Sequence, residues 1–259
     1  MNHANESVRL LINAWKLMVG RLPDGRIHHE DGVASCLGHV PLPFFNFSMN
    51  DRPLTDAADV RRFFENVDRA TAACAHPSMI ALCEDWAPAD WGQVASDHGL
   101  ATMMQLTGME TDQVLPPRRP APALEIRRVA DDASARDLAA INAHAYAMPP
   151  ELFECVCNMR FWHDDSIALV GYVDGRPVTS AAAMPVDGTV YIALVATMPD
   201  SHGKGYAEAV MRQAIAAGQQ TMGVTRTTLH ATDMGRPVYE AMGYAPSARF
   251  AVLARADAH

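Results

Sequence analysis

Apolar side chains recur every three to four residues in some stretches of the chain and run together or alternate in others, and these changes of period mark helices and strands. Val60, Phe63, Phe64 and Val67 share one face of a helix predicted near 55–74, and another amphipathic helix is predicted near 5–19. Short apolar runs predict strands near 33–39, 44–49, 78–83 and 101–106, while Pro88 to His98 reads as a short helix closed by Gly99. Leu115 to Ala123 holds four prolines in nine residues and is expected to be an extended linker, because proline lacks the amide proton that helices and ladders need. It divides the chain into residues 1–114 and 124–259.

Within 124–259 the pattern predicts a strand at 124–129 and a helix near 131–146 with Leu138, Ile141 and Ala145 inward. A second helix is expected near 150–158, past the break at Pro149-Pro150-Glu151. Strands at 166–173 and 177–184 face each other across Asp174-Gly175, a dipeptide suited to a two-residue hairpin turn. Val190 to Thr197 reads as a strand entered from the turn Asp187-Gly188. The chain then breaks at Pro199 and passes through Gly203 and Gly205 into a helix with Ala207, Val210, Met211, Ala214, Ile215 and Gly218 on one face. A strand at 226–231, a short helix at 237–242 ended by Gly243 and a strand at 250–254 complete the order β, α, α, β, β, β, α, β, α, β.

Strand, glycine turn and helix N-terminus in succession make an anion site, with unpaired N–H groups and the positive end of the helix dipole facing the guest. Phosphate is the natural guest. Two familiar phosphate motifs do not fit. A nucleotide P-loop needs Ser or Thr after its lysine, and Lys204 is followed by Gly205; a dinucleotide fingerprint needs a third glycine, and after Gly205 come Tyr206, Ala207 and Glu208. A glycine turn with no ligand stays open at this point.

Composition narrows the classes. At 259 residues and 49% apolar the chain can form one large or two modest domains with a real core. A net charge of -9 argues against a nucleic-acid surface and against attachment to anionic membranes. Five scattered cysteines without a C-x-x-C pair or a zinc ligand set imply reduced, buried thiols, a cytoplasmic protein and no metal. Leu10 to Val19 contains Asn13 and Lys16 and suits an amphipathic helix rather than a signal peptide, and no segment is long enough to span a bilayer. His163-Asp164-Asp165 and His28-His29-Glu30-Asp31 read as solvated charge.

His202 to Ala207, directly after a Val-Ala-Thr-x-Pro strand end, resembles the acetyl-CoA pyrophosphate loop of the GCN5-related N-acetyltransferase (GNAT) superfamily, written Arg/Gln-x-x-Gly-x-Gly/Ala. His202 stands where the family prefers Arg or Gln. Leu229 to Tyr244 resembles a second family motif, a strand, a polar turn and a helix ending in the Tyr-x-x-x-Gly-Tyr pattern of Tyr239 to Tyr244. The resemblance covers most of 124–256 and implies an α/β (α+β) GNAT fold. Its mixed, mostly antiparallel sheet would splay at the cofactor site, after a smaller α/β domain.

What the resemblance implies for ligands is equally definite. Acetyl-CoA or another acyl-CoA is the expected co-substrate, its pyrophosphate on the amides of Gly203, Lys204, Gly205, Tyr206 and Ala207 and its pantetheine arm along the backbone at Val195 and Thr197. The acceptor is expected to be a small-molecule or peptide primary amine that attacks directly; a non-catalytic acyl-CoA binding protein is the alternative. Trp86 to Gly108 has the helix, Gly, strand rhythm of a GNAT end, so the first domain reads as a degenerate GNAT-like half in tandem, or else an unrelated α/β cap. It repeats no glycine loop, which makes 203–207 the expected sole cofactor site, and a homodimer is the candidate assembly.

Amine attack on a thioester needs an uncharged amine, stabilisation of an oxyanion and a proton for the departing thiolate. Tyr239 occupies the family's usual general-acid position, with plain helix packing as the other reading. Glu151 and His230 are candidate bases; Glu151 can instead cap a helix at Pro150, His230 can instead face solvent, and a water chain can replace both. Asp233 stands where the family frequently has Asn, and an ionised carboxylate cannot donate a hydrogen bond.

Overall fold

The computed structural model describes residues 3–256. In chain order the first elements are α1 (His3–Val19), β1 (Arg26–Glu30), β2 (Val33–Leu37), β3 (Asn46–Asn50), α2 (Ala57–Thr71), β4 (Met79–Cys83), α3 (Trp91–Asp97) and β5 (Leu100–Thr111). Then follow β6 (Glu125–Arg128), α4 (Asp132–Ala145), β7 (Ile167–Val173), β8 (Arg176–Val186), β9 (Thr189–Thr197), α5 (Tyr206–Met222), β10 (Thr227–Thr232), α6 (Arg236–Ala241) and β11 (Ala245–Arg255). Contacts group them into two units: Met1–Met109 with His230–Pro237 and Pro246–His259, and Glu110–Leu229 with Val238–Ala245. This grouping follows a different line from the proline-rich seam, and residues 115–123 form no helix or strand. Among the described residues no helix is long and apolar enough to cross a membrane.

The first unit arranges its strands in the order β1-β2-β3-β4-β11-β5. Alternation along the central strands buries both faces. Met79, Ala81 and Cys83 of β4 join Phe250 and Val252 of β11 in a core under α1, whereas Ile80, Leu82, Ala251 and Leu253 join Val60, Phe63, Phe64 and Val67 of α2 on the other face. The α2 helix starts at Asp56, whose carboxylate accepts the Asp59 amide at 2.8 Å. Asp59 in turn receives both outer nitrogens of Arg52 at 2.8 and 2.9 Å.

In the second unit the order is β10-β9-β8-β7-β6. The β6–β7, β7–β8 and β8–β9 pairs are antiparallel and β9–β10 is parallel. At the β7–β8 turn Asp174 and Gly175 both have positive φ, 50° and 76°, as a type I′ hairpin requires. Asp131 and Ser134 start α4 with a reciprocal capping box. On β8, Ser180 bonds to α4 through Asn142, whereas Ala183 lies beneath Gly218 of α5; the odd spacing puts the two helices on opposite faces of the sheet.

Three elements depart from the expected pattern. Strand β1 was absent from it, because all five residues of Arg-Ile-His-His-Glu are exposed on an edge strand and show no alternation. The helix expected at 150–158 is instead a shorter 3-10 segment, Pro150–Val156. Finally β11 is longer than expected and pairs antiparallel with β4 of the first unit, Phe250 opposite Cys83 and Leu253 opposite Ile80.

The Arg52–Asp59 pair gives the first unit a testable acid limb. The hydrogen bonds from Arg52 lead in drawing the Asp59 carboxyl down to about 2, against about 3.9 for an unfolded aspartate. A lowered value contributes stability that is complete above about pH 4 and lost as pH falls through the folded value. Arg52→Met should therefore lower stability to urea at neutral pH and shallow the loss of stability below about pH 4; an acid limb as steep as the parent's would contradict the role of the pair.

Candidate active site

Site geometry begins where β9 ends. A short 3-10 turn, Pro199–Ser201, leads into His202, Gly203, Lys204 and Gly205, and α5 starts at Tyr206. Gly203 and Gly205 have φ of 75° and 80°, and a Cβ on either would meet nothing within 4 Å. It is therefore backbone conformation, with open space in front of it, that calls for glycine here. Gly205 caps α5 without a side-chain acceptor. The first backbone bond recorded past the turn is Ala209 N to Gly205 O at 3.1 Å, and among the described residues the amides of Gly203 to Ala207 donate to no acceptor outside the helix. Five N–H groups thus lie at the positive end of a 17-residue helix. His202 ties the loop to the strand, its Nε2 lying 2.9 Å from Thr197 O.

Along β9 the ladder is interrupted just before this loop. Ala193 pairs with Ala182 and Ala196 with Ser180 on β8, so β9 spends one residue more than β8 over the same span. That is a β-bulge. Leu194 within it has φ of 51°, a left-handed conformation that costs a non-glycine residue ~1–3 kcal/mol. Neither Leu194 nor Val195 has a partner in the β8 register, and β10 pairs only with Val190–Ile192. Ser180 Oγ donates to Leu194 O at 2.9 Å, and Thr179 Oγ1 donates to Ala196 O at 2.8 Å. Of the two strand positions expected to meet a pantetheine arm, Val195 lies in the bulge and Thr197 follows it, paired with Thr179 and bonded to it through their hydroxyls at 2.9 Å.

Tyr239 is buried on α6, with its ring edge-on to Tyr244 at 6.2 Å. Tyr244 is the anchor, since its hydroxyl accepts from Thr227 Oγ1 at 2.6 Å, whereas the Tyr239 hydroxyl has no hydrogen-bond partner among the described residues. Burial first, then the neighbouring phenols Tyr146 and Tyr244, push Tyr239 above the ordinary tyrosine value.

The two candidate bases belong to different units. Glu151 is exposed on the 3-10 segment of the second unit. His230 belongs to the first unit, where its Nε2 lies 3.3 Å from Ser7 Oγ and its ring packs edge-on to Phe250. Burial lowers its pKa to about 3. Asp233 is exposed in the turn after β10. The first unit also contains a cavity of about 330 Å³ lined in part by Asp68, Thr71, Ser78 and Arg255. Its charged groups, Asp68 and Arg255, pair with each other, and Asp68 also lies 2.9 Å from His98 Nε2.

Comparisons bear on the whole arrangement. Residues 135–244 match the model of the Acetyltransferase (GNAT) family. Among solved structures, a GCN5-related N-acetyltransferase from Kribbella flavida is 22% identical, with 97% of each chain covered and a TM-score of 0.69. Another from Sphaerobacter thermophilus is 16% identical over 95% of this chain and 90% of that one, with a TM-score of 0.58. A tandem GNAT protein from the clavulanic acid biosynthesis pathway is 10% identical over 99% and 95% of the two chains, with a TM-score of 0.54. These likenesses establish the fold. No curated protein matches the sequence.

A carboxylate placed at the loop should oppose an anionic guest. Gly205→Glu is expected to weaken acetyl-CoA binding by at least about tenfold in calorimetry; undiminished binding would remove these amides from the cofactor site.

Proposed function

We propose that the chain, whose residues 135–244 match the model of the Acetyltransferase (GNAT) family, is an acyl-CoA dependent N-acetyltransferase acting on a primary amine by direct attack. The observation that carries the reading is the row of unengaged amides from Gly203 to Ala207 at the start of α5, inside the family segment. They fit a pyrophosphate, and open space lies in front of both glycines. The backbone at Leu194 and Val195, outside the β8 register, fits the amide-bearing arm that joins such a pyrophosphate to its thioester.

Bound acyl-CoA supplies an activated acyl carbon and a thiolate leaving group. In the proposed reaction the amine nitrogen bonds to that carbon and the carbon–sulfur bond breaks. The amine's proton leaves to a base, and the sulfur takes one from an acid. Tyr239 suits the acid, since a phenol raised above its ordinary value stays protonated at neutral pH and its hydroxyl is committed to no protein partner. His230 is a weak base with a pKa lowered to about 3, which favours Glu151 or a water chain for the first proton. Burial pushes the thiols of Cys36, Cys83 and Cys155 up to about 12, so none is a ready thiolate for an acyl-enzyme route. A net charge of -9 favours cationic acceptors through long-range steering.

One observation favours a binding-only protein: Tyr239 packs on Tyr244 as a core residue would. Turnover separates the readings. A thiol-release screen of acetyl-CoA against primary amines should find CoA liberation that depends on both partners, and its absence across the panel would favour binding alone. Tyr239→Phe should lower kcat by about a hundredfold or more while leaving acetyl-CoA affinity within about threefold. A variant as fast as the parent would end the general-acid role.

A further inference from the structure

We propose that Asn142 and Ser180 are positioning residues that set the bulge of β9 so that the Val195 amide faces the acyl-CoA arm, an inference that rests on the acyltransferase reading above. Both are fully buried, Asn142 on α4 and Ser180 on β8. The Asn142 side-chain amide donates to Leu138 O at 2.9 Å and to Ser180 Oγ at 3.1 Å. A serine hydroxyl has one proton to give, and Ser180 gives it to Leu194 O at 2.9 Å. By filling the acceptor side of the hydroxyl, Asn142 fixes where that proton points. Amide, hydroxyl and carbonyl form a three-part relay from helix to bulge.

The consequence follows from peptide geometry. Among the described residues no peptide bond is cis, so the Leu194 carbonyl and the Val195 N–H point in opposite directions across one planar unit. Holding the carbonyl toward β8 turns the Val195 N–H away from β8, to the side on which β9 has lost its β10 pairing after Ile192. A backbone donor on that side can meet the thioester carbonyl or an amide oxygen of the arm, whereas a freely relaxing Leu194, at φ of 51°, would leave the left-handed region.

Stability alone does not explain Asn142. Its Oδ1 is buried without a partner among the described residues, and asparagine is a poor residue for a helix interior. Leucine would fill a similar volume without an unsatisfied oxygen. What leucine lacks is the donor that orients Ser180.

Calorimetry with two ligands tests the relay. Acetyl-CoA reaches both the glycine loop and the bulge, whereas 3′,5′-ADP, which carries no pantetheine arm, cannot reach the bulge. Ser180→Ala is expected to weaken acetyl-CoA binding by about tenfold, lower kcat at saturating acetyl-CoA and leave 3′,5′-ADP affinity within about twofold. Asn142→Leu, which guards against a misfolded serine variant, should shift the same ratio of affinities in the same direction with thermal stability equal to the parent's or higher. Variants that keep the parent's affinity ratio and kcat would overturn the relay while leaving the transferase reading intact. A parent protein that binds neither ligand would overturn both.

Discussion

Backbone N–H groups taken out of regular structure must find acceptors, and this constraint organises the second unit. The amides from Gly203 to Ala207 precede the α5 ladder, and Leu194 and Val195 have dropped out of the sheet register. Both sets sit at the end of one strand, joined by the His202 contact to Thr197 O. A left-handed leucine and two left-handed glycines hold this arrangement, at a cost in backbone strain for the leucine that a regular strand would avoid. The acyl-CoA proposed as the ligand carries a pyrophosphate and two amides along its length, groups that would answer both sets.

Much of this was legible in the chain because it rests on local chemistry. Gly203 and Gly205 between a β-branched run and a helical period announce the loop, Asp174-Gly175 announces its hairpin, and Tyr239 to Tyr244 announce the helix that ends in an aromatic anchor. The bulge was not legible: Ala193 to Ala196 reads as unbroken strand, and its cause lies in hydroxyls at Thr179 and Ser180 on a neighbouring strand. Nor does β11 announce its partner. Phe250 to Leu253 alternates as any central strand does, but pairing with β4 is decided by contacts more than 160 residues away in sequence, as between Arg249 N and Asp85 at 2.8 Å. Likewise Pro150 to Val156 carries helical composition, yet the tighter 3-10 turn prevails.

The first unit starts its second helix differently from the way the second unit starts α5. Its sheet is covered on both faces by helices, and its core alternates as strictly as any. Among its described residues no turn repeats the paired left-handed glycines ahead of a long helix: α2 starts instead on Asp56, a side chain that supplies its own acceptor to the Asp59 amide. One of the first amides of α2 is thus taken by its own cap, unlike those at the start of α5. His230, read in the sequence as a base candidate, is half-buried in this unit beside Ser7 and Phe250.

The central claim is that the backbone at the β9 bulge and at the start of α5 forms the proposed acyl-CoA site. Amide hydrogen exchange resolved by residue, measured on the full chain with and without acetyl-CoA, addresses it most directly. The account predicts ligand-dependent protection at Leu194, Val195 and Gly203 to Ala207, with the start of α2 in the first unit unchanged. Protection centred on the first unit, or none at residues 203–207 under saturating ligand, would contradict it.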